Sequence, residues 1–314
     1  MVKYYPVIIL IALALFVLVS MQMGCQPIEI GEPGAMTGNT APVEKSGELT
    51  KDETWTGNII VKDDILVPED ITLIITDGTT IKFEKDKKLL VDGNLYVEGQ
   101  PNRAVIMTSA ESEPEPGDWG GILISDLSLD TRIEYCVIDF HTLIVCQSDS
   151  LRLNRCIIGQ ASQVGLVFKA CSPTIEDNKI TKNGIGILCD DSASPNINYN
   201  VITANLRDGI ECKRSSFAKI SHNLISNNLG NGISCYSGSS PEINQNNIMY
   251  NSDWAVYGGG KLNRNFIQGN KERGMDVIDT GESMNGDQYY NVESVDSPRS
   301  SRIEEAGVRR EERW

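Results

Sequence analysis

Three short runs in the second half of the chain end in cysteine, and each is followed by residues that can do chemistry. Asp190 and Asp191 follow Gly-Ile-Leu-Cys, Lys213 and Arg214 follow Gly-Ile-Glu-Cys, and Tyr236 follows Gly-Ile-Ser-Cys. Asp208 stands just before the second run. Two carboxylates flanking a glycosidic bond act as acid and base in hydrolysis. A carboxylate cluster that holds calcium beside a basic residue equips a lyase. An aromatic face next to charged donors suits sugar binding without catalysis. Asp190, Asp191 and Asp208 are therefore the catalytic candidates if the chain is an enzyme. Asp190, Asp191, Lys213, Arg214 and Tyr236 are the candidates for ligand binding. The same residues also fit the solvated loops of any repeat protein, and an Asp-Asp pair alone makes no site.

The elements that must position these residues announce themselves by repetition. The phrase I-x-x-N-x-I-x-x-N occurs at Ile175, Asn178, Ile180 and Asn183, and again from Ile197, Ile220 and Ile243. A last copy opens with Leu262 and ends at Asn270. The first asparagines stand at 178, 200, 223, 246 and 265, in steps of 22, 23, 23 and 19. Self-similarity at that period marks a solenoid, whose repeats bury their apolar faces only against one another. The apolar runs are too short for helices and are punctuated by asparagine and glycine, so each repeat is a coil of short strands. The fold expected is all-β: a parallel β-helix of roughly ten coils, on the order of 50 Å long at the usual strand spacing.

Asparagine tolerates the left-handed backbone conformation, so it can turn a strand sharply. Stacked at one place in successive coils, its amide can donate to the next. The phrase extends backward to Leu151, Asn154 and Cys156, and before that to Ile133, Cys136 and Ile138. Cysteine thus takes an asparagine place at 136, and the expected ladder is Asn154, Asn178, Asn200, Asn223, Asn246 and Asn265.

Eight cysteines are present, at 25, 136, 146, 156, 171, 189, 212 and 235. Strand side chains alternate, so Cys189, Cys212 and Cys235 point the same way as the isoleucine two before each, which is inward. They read as a column of buried thiols. Zinc sites use C-x-x-C pairs or histidine partners, and the chain has only His141 and His222, so neither metal nor cofactor is expected. Trp119 and Trp254 are ambiguous between core and surface. At the second, either Trp254 and Val256 or Ala255 and Tyr257 face inward.

A formal charge of −15 excludes a nucleic-acid binder, which needs a basic footprint. It equally disfavours direct contact with anionic membranes. Residues 1–25 read as a targeting segment, with Lys3, an apolar stretch at 7–19, and Gly24 before Cys25. This resembles a bacterial lipoprotein signal, which implies that Cys25 is lipidated and that the chain is membrane-anchored. Gln22 departs from that motif, which prefers leucine there. Residues 26–51 read as a flexible tether, 52–279 as the β-helix with an N-terminal cap beginning over 52–70, and 280–314 as a polar tail, disordered or a short cap helix. The acidic ESEPEPG before residue 118 reads as a loop thrown out from the stack.

The passage NIIVKDDILVPEDITLIITDGTTIKF closely resembles the first coils of bacterial right-handed β-helix surface proteins, and GDWGGILIS resembles a later coil. Over 52–279 the chain resembles the right-handed parallel β-helix repeat family, which includes NosD-type periplasmic proteins and carbohydrate-binding and sugar-hydrolase β-helices. That scaffold hosts many functions. NosD-type members are linked to copper delivery, but no Met/His-rich site here matches. The Gly-His-Gly motif of polygalacturonases is absent. The expectation is a lipid-anchored, non-catalytic protein of the bacterial cell envelope, periplasmic or at the outer surface, whose stacked loops bind a polysaccharide or another surface component. The alternatives are a β-helix polysaccharide lyase or glycoside hydrolase, and a structural spacer or adhesion scaffold.

Overall fold

Short isoleucine-rich runs cannot bury an apolar face alone, and each does so here against the next coil. The computed structural model describes residues 41–270 and 288–290. The targeting segment with Cys25, the tether up to residue 40 and the tail after residue 290 lie outside the described residues. Each coil holds three strands, for example Thr174–Glu176, Lys179–Thr181 and Ile185–Asp190. The first strands stack into a ten-stranded parallel sheet running from Glu53–Trp55 to Lys261–Asn263. The second and third strands make two more parallel ladders. These join at the strand Asn58–Val67, whose first half pairs with Thr80–Phe83 and whose second half pairs with Lys88–Val91. The result is a β-solenoid of ten coils, with no helix among the described residues.

Three isoleucine-rich columns fill the interior. One runs through Ile175, Ile197, Ile220 and Ile243, another through Ile180, Ile202, Ile225 and Ile248, and the third through Ile187, Ile210 and Ile233 to Val256. All are fully buried. Each such side chain contributes about 1.5–3 kcal/mol relative to exposure. Trp119 belongs to this core as well: its ring stacks on Phe83 at 4.1 Å and its Nε1–H donates to the Asp139 carbonyl at 2.7 Å.

The corners between strands hold two asparagine ladders. The first contains Asn178, Asn200, Asn223, Asn246 and Asn265, and the second Asn183, Asn205, Asn228, Asn251 and Asn270. Asn200 shows the pattern. Its Oδ1 accepts from the Asn178 backbone N–H at 2.9 Å and from the Asn178 amide at 3.0 Å. Its own amide donates to the Ile175 carbonyl at 2.9 Å and to Asn223 Oδ1 at 3.1 Å. The second ladder dictates a glycine column beside it. A Cβ on Gly186 would lie 2.5 Å from the Gly209 carbonyl oxygen and 2.9 Å from Asn205 Nδ2.

Four sequence expectations change. Asn154 is not a rung: it lies inside Arg152–Asn154, opposite Glu176, and its Oδ1 has no partner. The rung before Asn178 is Cys156, whose backbone N–H donates to Asn178 Oδ1, and the one before that is Cys136. The asparagines are also not the left-handed residues. That conformation belongs to the residue before each: Asp177, Tyr199, His222, Gln245 and Arg264, with φ between 54° and 57°. The asparagine must turn its side chain inward to reach its neighbours, so the preceding residue takes the strained dihedral with its side chain outward. The coil stack begins earlier than residue 52, because Val43–Glu48 pairs in parallel with Asn58–Val67. It also runs past residue 279, where Gln288–Tyr290 pairs with Phe266–Gln268.

His141 occupies the position of the second ladder two coils before Asn183, after Phe140 at φ 58°. Burial lowers its pKa to about 4, against a backbone hydrogen bond with Gly165 that acts the other way. The imidazole is therefore neutral in the folded chain, while the unfolded chain protonates it below its ordinary value near 6.5.

Two predictions follow from this architecture. Asn200→Ala should cost about 2–4 kcal/mol in chemical denaturation, because it orphans several buried groups, whereas Asn154→Ala should cost less than about 1 kcal/mol. Equal losses would remove the distinction between rung and strand. For His141, stability is fully present above pH 6.5 and falls as pH drops toward 4, by on the order of 3 kcal/mol. His141→Asn should flatten the unfolding midpoint over that window.

Candidate functional site

The third strands align so that each outward position stacks on the last. Ile187, Leu188 and Cys189 pair with Ile210, Glu211 and Cys212, then with Ile233, Ser234 and Cys235. Val256 and Tyr257 continue the register. The isoleucine, valine and cysteine positions face the core, which leaves Leu188, Glu211, Ser234 and Tyr257 facing outward. Earlier in the same column stand Leu123, Val145 and Val167. The column thus changes from apolar to polar and aromatic at Glu211.

The turns leading into these strands change with it. Residues 205–209, 228–232 and 251–255 form turns of equal length, and the turn before them, 183–186, is one residue shorter. In the longer turns Asp208, Asn231 and Trp254 occupy one stacked position. Asp208 Oδ1 accepts from the Asn231 backbone N–H at 2.8 Å and from its amide at 3.3 Å, and Asn231 Oδ1 accepts from the Trp254 N–H at 2.9 Å. Asp208 Oδ2 accepts from the Ser234 hydroxyl at 2.6 Å. Ser234 is fully buried although it points away from the core, because this turn rises over it.

At the other end of the strands, Asp190, Lys213 and Tyr236 follow the three aligned cysteines and share one column, as the sequence implies. Their partners are less obvious. The Arg214 guanidinium reaches back to Asp190, and Lys213 Nζ holds Glu211 Oε1. Asp191 is exposed at φ 55°, and its N–H donates to Asp190 Oδ1 at 2.9 Å. The rings of Tyr236 and Tyr257 lie 5.6 Å apart and tilted. Partial burial holds the Tyr236 hydroxyl pKa above its ordinary value; Asp208 and Glu211 push the same way, and a hydrogen bond with Ser234 opposes them.

Asp190 ends one third strand and Asp191 follows it, whereas Asp208 precedes the third strand of the next coil, so the catalytic candidates are held by different partners at opposite ends. What the structure gathers instead is Asp208, Glu211, Asn231, Ser234, Tyr236 and Tyr257, with Lys213 over Glu211. Glu211 was missed from sequence, although the variable letter in Gly-Ile-Leu-Cys, Gly-Ile-Glu-Cys and Gly-Ile-Ser-Cys marks that outward position. Its side chain is 3% exposed and its Oε2 has no partner. At the uncertain register, Ala255 and Val256 are buried while Trp254 and Tyr257 are half-buried.

The seven cysteines after Cys25 are buried and unpaired. Burial pushes the Cys156 thiol up to about 12 and raises Cys136 and Cys235 as well, which keeps them protonated. Among the described residues, no group of three or more His, Cys, Asp or Glu side chains is placed to hold a metal ion.

Residues 120–284 match the family model described as the right handed beta helix region, and residues 47–128 match the pectate-lyase like beta helix domain. No curated protein matches the chain. Among solved structures, a variant of the periplasmic alginate epimerase AlgG is similar at 14% identity and a TM-score of 0.46, over 67% of this chain and 57% of that one. The chain therefore spans little more than half the length of that epimerase. The A-module of the Azotobacter vinelandii mannuronan C-5 epimerase AlgE6 is similar at 12% identity and a TM-score of 0.45, over 79% of this chain and 89% of that module.

Proposed function

The chain belongs to the right-handed β-helix family, and on that scaffold we propose that it binds a polysaccharide without cleaving it, along the outward strip from Glu211 to Tyr257. The observation that carries this reading is the coordinated change at one place in the stack. The outward column turns from apolar to polar and aromatic where three successive coils adopt turns of one length. Neighbouring coils are about 4.8 Å apart, close to the advance of one sugar ring along an extended glycan, so each coil can meet one ring. Tyr236 and Tyr257 offer aromatic faces, and Asn231, Lys213 and the unpartnered oxygen of Glu211 offer polar groups beside them. Against cleavage, the candidate carboxylates do not converge on one linkage: Asp208 is held by Asn231 and Ser234 before a third strand, while Asp190, tied to Arg214, and Asp191 lie at the far end of another.

The targeting segment extends the reading to place. Lys3, the apolar stretch at 7–19 and Gly24 before Cys25 support a lipidated Cys25 and display from the bacterial envelope.

Two experiments test this. The full-length protein in detergent should be retained on at least one polysaccharide from a panel of neutral and acidic polymers, without releasing oligosaccharides, and Tyr236→Ala should weaken retention about tenfold. Release that disappears on Asp190→Asn or Asp208→Asn would establish an enzyme instead, and no retention on any polymer would leave a spacer. Separately, Cys25→Ser should move the protein from the membrane to the soluble fraction of expressing cells; a variant still in the membrane would remove the lipid anchor.

A further inference from the structure

We propose that the strip selects an uncharged, hydroxyl-rich glycan and turns uronate chains away, with Glu211 Oε2 accepting a sugar hydroxyl. This rests on the polysaccharide-binding reading above and names the class of ligand within it.

The argument starts from Glu211. Its neighbours Ile210 and Cys212 face the core, so its carboxylate projects to the outer side of the strand, yet it is almost entirely buried. Lys213 satisfies Oε1, while Oε2 has no donor. A buried carboxylate oxygen without a donor is costly, because the water it gave up has not been replaced. A ligand hydroxyl is the donor that completes it. A uronate carboxylate brings no proton there and adds a second negative charge at short range.

The surroundings point the same way. Asp208 lies within the strip, buried, with Asn231 and Ser234 using both of its oxygens. Asp190, Asp191 and Asp253 stand at its margins, so the local carboxylates are these four and Glu211. The cations are Lys213, Arg214 and Arg207. Lys213 already serves Glu211, and Arg214 serves Asp190. Arg207 is exposed in the turn before Asp208, where solvent and salt screen it. Burial holds the Tyr236 pKa above its ordinary value, and Asp208 and Glu211 add to this against a hydrogen bond with Ser234, so the ring edge carries a neutral hydroxyl in a region already anionic.

Access is consistent with this role. The Lys213 side chain is 39% exposed against 3% for Glu211, so the flexible partner of the carboxylate meets solvent where the carboxylate does not. A hydroxyl reaches Oε2 by a shift of that side chain that keeps Nζ on Oε1, so the ammonium stays committed to Glu211. The Tyr236 and Tyr257 rings, on the next coils, meet the apolar face of the neighbouring ring.

The test compares a β-glucan and a galactomannan with polygalacturonate and alginate, using the full-length protein in detergent at about 0.15 M ionic strength. At least one neutral polymer should bind about tenfold more tightly than either uronate, with little dependence on salt. Glu211→Gln, with an unchanged unfolding transition, should bind the neutral polymer several-fold more weakly and the uronates more strongly. If Glu211→Gln does not fold, the preference and salt dependence of the unmodified protein decide alone. Equal or preferential retention on uronates overturns the neutral-glycan assignment and leaves polysaccharide binding standing. No retention on any of the four overturns the binding reading beneath it.

Discussion

Two corners of each later coil fold polar backbone into a place that water does not reach, and the asparagine ladders are what make that tolerable. Each amide accepts from the coil before and donates to the carbonyl and to the amide beside it, so one side chain satisfies groups on both sides. The left-handed residue before each asparagine carries strain that the ladder offsets. Because a rung is made only when coils sit in register, the ladders also fix the vertical alignment of everything else. The glycine column from Gly165 through Gly186 and Gly209 to Gly232 is a consequence, since a side chain there would strike a ladder amide.

That alignment turns a variable outward letter into a surface. Leu188, Glu211 and Ser234 each sit between core residues, and Tyr257 follows one, while the outward letters themselves differ from coil to coil. Chemistry can be written on such a column without disturbing the packing beneath. The equal turns at 205–209, 228–232 and 251–255 add a polar wall through Asp208 and Asn231, which draws Ser234 out of solvent and places carboxylates beside Tyr236. The inward cysteines take the opposite role. They are small apolar fillers, and burial raises the thiol pKa of Cys156 and Cys235.

Much of this was legible before any coordinates. The period of the I-x-x-N phrase implies stacked coils, and the alternation in Gly-Ile-x-Cys correctly turns the cysteines inward. Cys136 was also read into its proper rung. The Asn154 rung was not legible, because Leu151 and Leu153 are both buried and apolar, and a slip of two residues keeps every side chain on its proper face. Pairing of Leu153 with Ile175 decided the matter. The assignment of the left-handed turn to asparagine followed that residue's intrinsic tolerance. The fold gave the dihedral to the preceding residue because the amide was needed inside.

Fold class, coil period and inward columns follow from composition and spacing, since they depend on which residue types recur and how far apart. The partners come from the stacking of coils: Arg214 for Asp190 and Ser234 for Asp208, while Lys213 takes only half of the Glu211 carboxylate. Asp208 and Ser234 are 26 residues apart, and Arg214 reaches back 24. Such contacts exist only once successive coils are stacked, and whether a carboxylate ends up satisfied or waiting for a donor is set by geometry that no single repeat contains.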